Sequence, residues 1–454
     1  MQPVQMEAAD AAYLSFDGPG TDANVCLYMP LEGPVTLEEV REQVAGGLRR
    51  MPELRRKLHM VLGGMDLPWW IDDPAFAVAN QVTESIVPQP AGQDQIDALV
   101  GELGGRKLDR EHPLWAVHVL QVPARGRRAA SSALLLKVHH AIADGVRYQH
   151  IVDALFGPRT TPAPVEDPTW HPTLPPSDAE LLARSAAATS AWMATQLTDT
   201  VRQLSESVHT WPTLTIPSVR AAPQTAFNRS VTAGRSWAGT SLEIAASKQV
   251  RQREEVTVGA VFNAAIAGGL RSWLLAREAL PRMPLVALLP IGEAHDRTGA
   301  AANQIGISSC GLPTDVADPL ERLRAAHDML SQAKSAPLMR GSTMSSATRF
   351  AAPALGAMAS SLTATTRLYD YVSSSYNLLV SSVAQPPDVL TVAGREVLAE
   401  FPMGPVFDGM GVNVTAHGYR GQLDVGVATC ADLVPDAREI ADGIAAAYRE
   451  LCRL

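Results

Sequence analysis

Only four cysteines occur among 454 residues, Cys26, Cys310, Cys430 and Cys452, and no two form a CxxC pair. That scarcity argues against a disulfide framework or a zinc knuckle and points to reduced thiols in a cytosolic protein. Excess basic charge is also lacking: 38 Lys and Arg stand against 47 Asp and Glu, a net charge of −9. A nucleic-acid binder needs clustered cations to neutralise phosphates, and the same balance gives no general attraction to anionic lipid. Any membrane contact would have to be local and apolar. Long hydrophobic runs are missing too. The one suspicious uncharged window, FAAPALGAMASSLTATT at 350–366, is broken by Pro353, Gly356 and hydroxyl side chains. It is too short and too polar to read as a transmembrane helix. The opening MQPVQMEAADAAYLSF has no basic n-region and no apolar h-region, so no secretory signal is expected. The expected location is cytoplasmic.

What is present is the composition of a globular protein, 46% apolar and 19% charged. The length favours more than one domain. The segment TLEEVREQVAGGLRRMPELRRKL places Val40, Val44, Leu48 and Leu54 near helical spacing, with Thr36 as N-cap. WAVHVLQV (115–122) alternates as a strand and SSALLLKVH reads as a buried one. Between 157 and 176 seven prolines block helix and ladder alike, which marks a linker. Ser177 and Glu180 then stand in capping-box positions of a helix, and the Ala/Ser/Thr-rich stretch to about Trp211 continues it. A second α/β pattern follows. It has a helix at 257–275, strands at 284–291, 376–383, 411–419 and 422–429, and a closing helix from Pro435. The strands on either side of Arg420-Gly421 read as a hairpin. The expected division is 1–157, a linker and connecting helix at 158–226, and 227–454.

The stretch LLLKVHHAIADGVRYQHIVDALFG (134–157) places two adjacent histidines where a strand gives way to a helix. Consecutive strand side chains point to opposite faces, so His139 and His140 cannot share a cavity unless the strand has ended. Asp144 stands at the N-cap position and Gly145 allows a tight turn. Tyr148, Ile151, Val152 and Leu155 then form an apolar helical stripe. Such a corner presents one imidazole. Two core histidines are the bland reading. A metal site from His140 and Asp144 would need a third ligand, and no HExxH or paired Cys supplies one. Acid–base catalysis is the third reading, since imidazole titrates near neutrality.

HHAIADG has the HHxxxDG form shared by CoA-dependent acyltransferases and peptide-synthetase condensation domains. LDREHPLWAVHVLQV, PWWIDDPAFAV and FPMGPVFDGMGVNVTAHGYRGQLDVGV resemble, in order and spacing, blocks of the bacterial wax ester synthase/diacylglycerol acyltransferase family. The resemblance runs from about Ala11 to the C-terminus. It implies an α/β protein of two chloramphenicol-acetyltransferase-like domains with a substrate tunnel and the active site between them. By position, His140 would be the general base that deprotonates an alcohol as it attacks an acyl-CoA thioester. His139 would be structural, and Asp144 a brace rather than a proton carrier. Pro113, Leu114 and Trp115 match the family's PLW block and either line the site or pack beside it. The implied reaction joins acyl-CoA and diacylglycerol to give triacylglycerol and CoA, with wax ester as the related product. No bound cofactor or metal is implied. The partners would be acyl-CoA, a lipid alcohol and a peripheral membrane or droplet surface, which the helices near 178–210 and 350–366 could contact.

The second half departs from the family. TVND is TVGA here, so Gly259 and Ala260 replace an amide and an acid. SNVPGP reads SSVAQP, with Ser382 in place of the asparagine, and Gly292 stands where a serine is expected. ANQIG keeps the asparagine of GNxxG as Asn303. These departures leave two alternatives open: the same fold acting on another hydroxyl or amine, and a weakly active or non-catalytic acyl-CoA- or lipid-binding relative.

Overall fold

The computed structural model describes residues 1–64, 66–143, 145–157, 170–186, 222–292, 305–335, 353–383 and 389–454. Two sheets dominate. The first has the order β14–β2–β7–β6–β5, built from β2 (Asn24–Pro30), β5 (Val82–Ile86), β6 (Trp115–Val122), β7 (Ser131–His139) and β14 (Phe401–Met403). The second runs β10–β9–β11–β15–β16–β8, from β8 (Arg235–Glu243), β9 (Leu285–Gly292), β10 (Ile305–Leu312), β11 (Leu378–Val383), β15 (Val412–Tyr419) and β16 (Gln422–Cys430). β1 (Val4–Gln5), β4 (Trp69–Asp72) and β3 (Arg56–His59) form a small sheet in that order, and β12 (Thr391–Val392) pairs with β13 (Arg395–Glu396).

The helices are α1 (Ala8–Leu14), α2 (Leu37–Gly47), α3 (Val78–Gln81), α4 (Gln93–Gly105), α5 (Gly145–Phe156), α6 (Ile244–Glu254), α7 (Val258–Leu275), α8 (Pro319–Ser335), α9 (Pro353–Thr365) and α10 (Ala437–Arg453). The start of α2 is set by a full capping box between Thr36 and Glu39. Ser177 makes half of the expected box, accepting from the Glu180 amide at 3.3 Å, while the Glu180 carboxylate turns to Arg184. Residues 178–186 are helical; the continuation toward Trp211 lies outside the described residues.

Each sheet buries one face under helices. Leu134, Leu136 and Val138 of β7 pack with Val40 and Val44 of α2 and with Ile151, Val152 and Leu155 of α5. Val412, Val414 and Ala416 of β15 pack against α7 and α10. By length and composition α7 could cross a membrane, but 72% of it is buried inside the protein, as befits a core helix. The β15–β16 hairpin turns on Arg420 and Gly421, whose φ angles of 47° and 81° fit the two-residue turn that matches strand twist.

One strand crosses between the halves. Although β14 follows most of the second sheet in sequence, Phe401, Pro402 and Met403 pair with Tyr28, Leu27 and Cys26 of β2. Leu390, Val392 and Val397 likewise pack in the core of the first sheet. The segment 389–403 thus belongs to the first sheet's core, although the sequence places it within 227–454.

Candidate active site

At its centre strand the first sheet ends in the histidine corner. β7 stops at His139, and backbone hydrogen bonds hold the exit on both sides: His139 N–H donates to Leu114 C=O at 2.9 Å and His140 N–H to Ala23 C=O at 2.8 Å. His139 is buried. Its Nδ1 accepts from the Ala141 amide at 3.0 Å, so the ring proton sits on Nε2, which faces Asp17 at 3.1 Å. Burial pushes the Asp17 carboxyl up, but hydrogen bonds from His139, Arg110 and the Ala23 amide outweigh this and bring it to about 2. Both nitrogens of His139 are therefore occupied in holding the corner.

His140 faces the other way. Half-buried, it stacks on Tyr13 of α1 with ring centroids 4.3 Å apart and planes 5° from parallel. It lines a cavity of about 590 Å³ between the two sheets. Gly145 lies at the start of α5, and a methyl group there would sit 3.9 Å from Val383 of β11, so the two halves meet beside the corner. Asp144 lies outside the described residues.

The cavity wall is mostly apolar, with Val25, Leu27, Leu288, Ile307 and Leu379 contributing. Cys26 also lines it; burial pushes its thiol up to about 12, so it is no nucleophile at neutral pH. The polar groups on the second sheet come from alternate residues. Ser381 on β11 and Asn413, Thr415 and His417 on β15 share the cavity face. Asn413 and Thr415 are bonded to each other, and the Asn413 amide also donates to Pro405 C=O.

Several expected site residues fall elsewhere. Leu114 and Trp115 are buried and line no part of this cavity; the Trp115 indole donates to Leu54 C=O at 2.7 Å, and Pro113 likewise stays off the cavity wall. The PLW block acts through the backbone, by Leu114 C=O on His139 and by pairing Trp115 with Val138. Ser382 is exposed on the opposite face of β11; strand parity gives the cavity Ser381 instead. Gly259 abuts Leu330 and Ala260 is buried in the second core, so neither faces the cavity. The loss of TVND therefore removes nothing from the described wall. Asn303 lies outside the described residues. Sequence reasoning missed Asp17, Tyr13, Glu400 and His417. For His417 a signal existed: in VNVTAHGY polar residues recur at 413, 415 and 417 between apolar ones. Among the described residues no group of three His, Cys, Asp or Glu side chains converges as a metal ion would require.

Two sheets that meet over one cavity, with a histidine corner on its wall, are the architecture of a two-domain acyltransferase. The fold is similar to a wax ester synthase/diacylglycerol acyltransferase from Marinobacter aquaeolei VT8 (TM-score 0.66, 22% identity, 99% of this chain and 100% of that one). It is also similar to a trichothecene 15-O-acetyltransferase from Fusarium sporotrichioides (TM-score 0.58, 12% identity, 100% and 96%). The profile described as wax ester synthase/diacylglycerol acyltransferase catalytic domain matches residues 6–262, and that of the WS/DGAT C-terminal domain matches 301–452. A Mycobacterium tuberculosis protein named as a diacylglycerol O-acyltransferase is 30% identical over 98% of this chain and 90% of its own. A Mycobacterium bovis protein of the same name is 29% identical over 97% and 89%. The chain belongs to the wax ester synthase/diacylglycerol acyltransferase family and is an acyltransferase.

Proposed function

We propose that this chain transfers a long acyl group from acyl-CoA to the free hydroxyl of diacylglycerol, with long-chain alcohols as related acceptors and His140 as general base. The observation that carries this reading is His140 on the wall of a cavity of about 590 Å³, beside a neighbour whose nitrogens are both engaged. His140 takes the hydroxyl proton as the oxygen attacks the thioester carbonyl. The tetrahedral intermediate then collapses, the C–S bond breaks, and the imidazolium returns the proton to the departing CoA thiolate. Holding both substrates together removes the need for a covalent enzyme intermediate. A base so placed contributes roughly 10²–10⁴-fold. Ser381 is the β11 hydroxyl on the cavity face and is assigned as donor to the developing oxyanion.

The lipid acceptor would arrive from a membrane or droplet surface. Helix α9 supports this: Gly356, Ser360 and Thr363 line the cavity, while Met358 and Leu362, 66% and 65% exposed, lie on the far side of the same helix. Tyr371, which follows α9 in sequence, is 84% exposed as well.

The test is release of CoA from palmitoyl-CoA by purified protein with and without diolein. Release that depends on diolein and is lost in His140→Ala is expected. Full activity in that variant, or no dependence on any alcohol, defeats the reading.

A further inference from the structure

Residues 13–17, YLSFD, hold both histidines of the corner. Asp17 takes His139 through Nε2, and Tyr13, four positions earlier, lies flat against His140, with ring centroids 4.3 Å apart and planes 5° from parallel. The segment is itself fixed from two sides. Ala8, Ala11 and Leu14 of α1 are buried with Leu58, Leu67, Leu114 and Ala141, so the helix that carries Tyr13 is seated on residues flanking the histidines. Beyond α1, Phe16 meets Tyr13 edge-on at 6.1 Å and Phe407 of the second half at 5.4 Å. His140, Tyr13, Phe16 and Phe407 all line the cavity, an aromatic row that runs from the corner to the loop after β14. The last torsion of a histidine side chain is broad, so neighbours rather than rotamer preference set the plane of the ring. The face of an aromatic ring is also negative, and it attracts a cation within about 6 Å more strongly than a neutral group.

We propose that Tyr13 is a positioning residue for acyl transfer, fixing the plane of the His140 ring and stabilising the imidazolium that the ring becomes. This rests on the reading of His140 as base above. As the alcohol oxygen bonds to the thioester carbonyl carbon, its proton passes to His140, and the charge created lies over the π face of Tyr13. When the C–S bond breaks, the proton leaves for the thiolate sulfur and the ring is neutral again. The stack therefore strengthens as the proton arrives. An interaction stronger in the transition state than before it raises kcat rather than lowering KM. The ring face does this and the phenol hydroxyl does not, so phenylalanine can replace Tyr13 and leucine cannot.

The experiment measures kcat and KM for palmitoyl-CoA and diolein, by CoA release, in Tyr13→Phe, Tyr13→Leu and His140→Ala, with melting temperatures recorded. Tyr13→Phe should stay within about threefold of the wild type, and Tyr13→Leu should lose about tenfold or more in kcat with KM changed little, the size of one desolvated cation–π contact. A second series keeps the shape of the ring: phenylalanines carrying one, two and three ring fluorines in place of Tyr13 draw electron density from the face, and kcat should fall with each fluorine added. A loss of less than about twofold in kcat of Tyr13→Leu overturns the proposal. So do an equal loss in Tyr13→Phe, a change confined to KM, and a flat fluorine series. If Tyr13→Leu does not fold, the fluorine series decides alone. Full turnover in His140→Ala would overturn the base reading and this inference together, whereas an inactive His140→Ala beside indifferent Tyr13 variants overturns this inference only.

Discussion

Asp17→Asn removes one charge and keeps the side-chain volume, at the carboxylate that receives His139 Nε2, Arg110 and the Ala23 amide. An asparagine offers one acceptor oxygen in place of two and points an NH2 at one of three donors. The folded carboxyl titrates near 2 against an ordinary 3.8, although burial alone would raise it, and its side chain is only 13% exposed. That gap corresponds to about 2 kcal/mol favouring the ionised folded form. Because the folded value is the lower one, the stabilisation is complete above pH 3.8 and is lost as pH falls toward about 2. Urea titrations followed by tryptophan fluorescence should therefore show the variant about 2 kcal/mol less stable at pH 7. The gap should shrink between about pH 4 and pH 2, with matching m-values. A constant gap across that window, or none at pH 7, refutes the assignment. The same substitution should reach the chemistry. His139 holds the Ala141 amide immediately after His140, so a loosened ring shifts the proposed base, and kcat should fall by about 10- to 100-fold with KM little changed. A rise in KM alone would place Asp17 in substrate binding instead.

Strand parity on β11 makes a paired prediction: Ser381→Ala should lower kcat by about 10²-fold as an oxyanion donor is lost, and Ser382→Ala should stay within twofold, both read as CoA release. Equal effects would show that neither hydroxyl reaches the reaction. Replacing Met358 and Leu362 by Glu should lower turnover of vesicle-borne diacylglycerol relative to a dispersed short-chain acceptor, and weaken co-sedimentation with vesicles. An unaltered ratio would move the lipid contact off α9.

Local rules made much of the chain legible. Thr36 and Glu39 announce α2, the bounds of β6 and the end of β7 follow from alternation and burial, and Arg420-Gly421 marks the hairpin. Each of these depends on residues a few positions apart. The failures depend on pairing across the sheet. SSV at 381–383 gives no local reason to prefer Ser381 over Ser382, because the register of β11 on β15 decides which serine faces inward. PLW looks like a site motif until Trp115 is seen bonded to Leu54 across the core. Glu400 and His417 are too far apart in sequence for any spacing rule, and meet only because β14 leaves the second sheet for the first.

That departure also shapes the cavity. β14 joins the edge of the first sheet at β2 while Pro402 and Gly404 line the space between the sheets. The crossing requires Gly426 on β16, where a methyl group would come 1.6 Å from Pro402 C=O. No rotamer change relieves a clash with backbone, so any side chain there pushes β14 away from the second sheet. Glu400, one residue before β14, would move with it, and Nδ1 of His417 would lose its only carboxylate contact among the described residues. His140, the proposed base, is held by the first sheet through its own backbone bond to Ala23 and through His139, which Leu114 and Asp17 fix, whereas the polar row on the opposite wall belongs to the second sheet, against which β14 packs at Gly426.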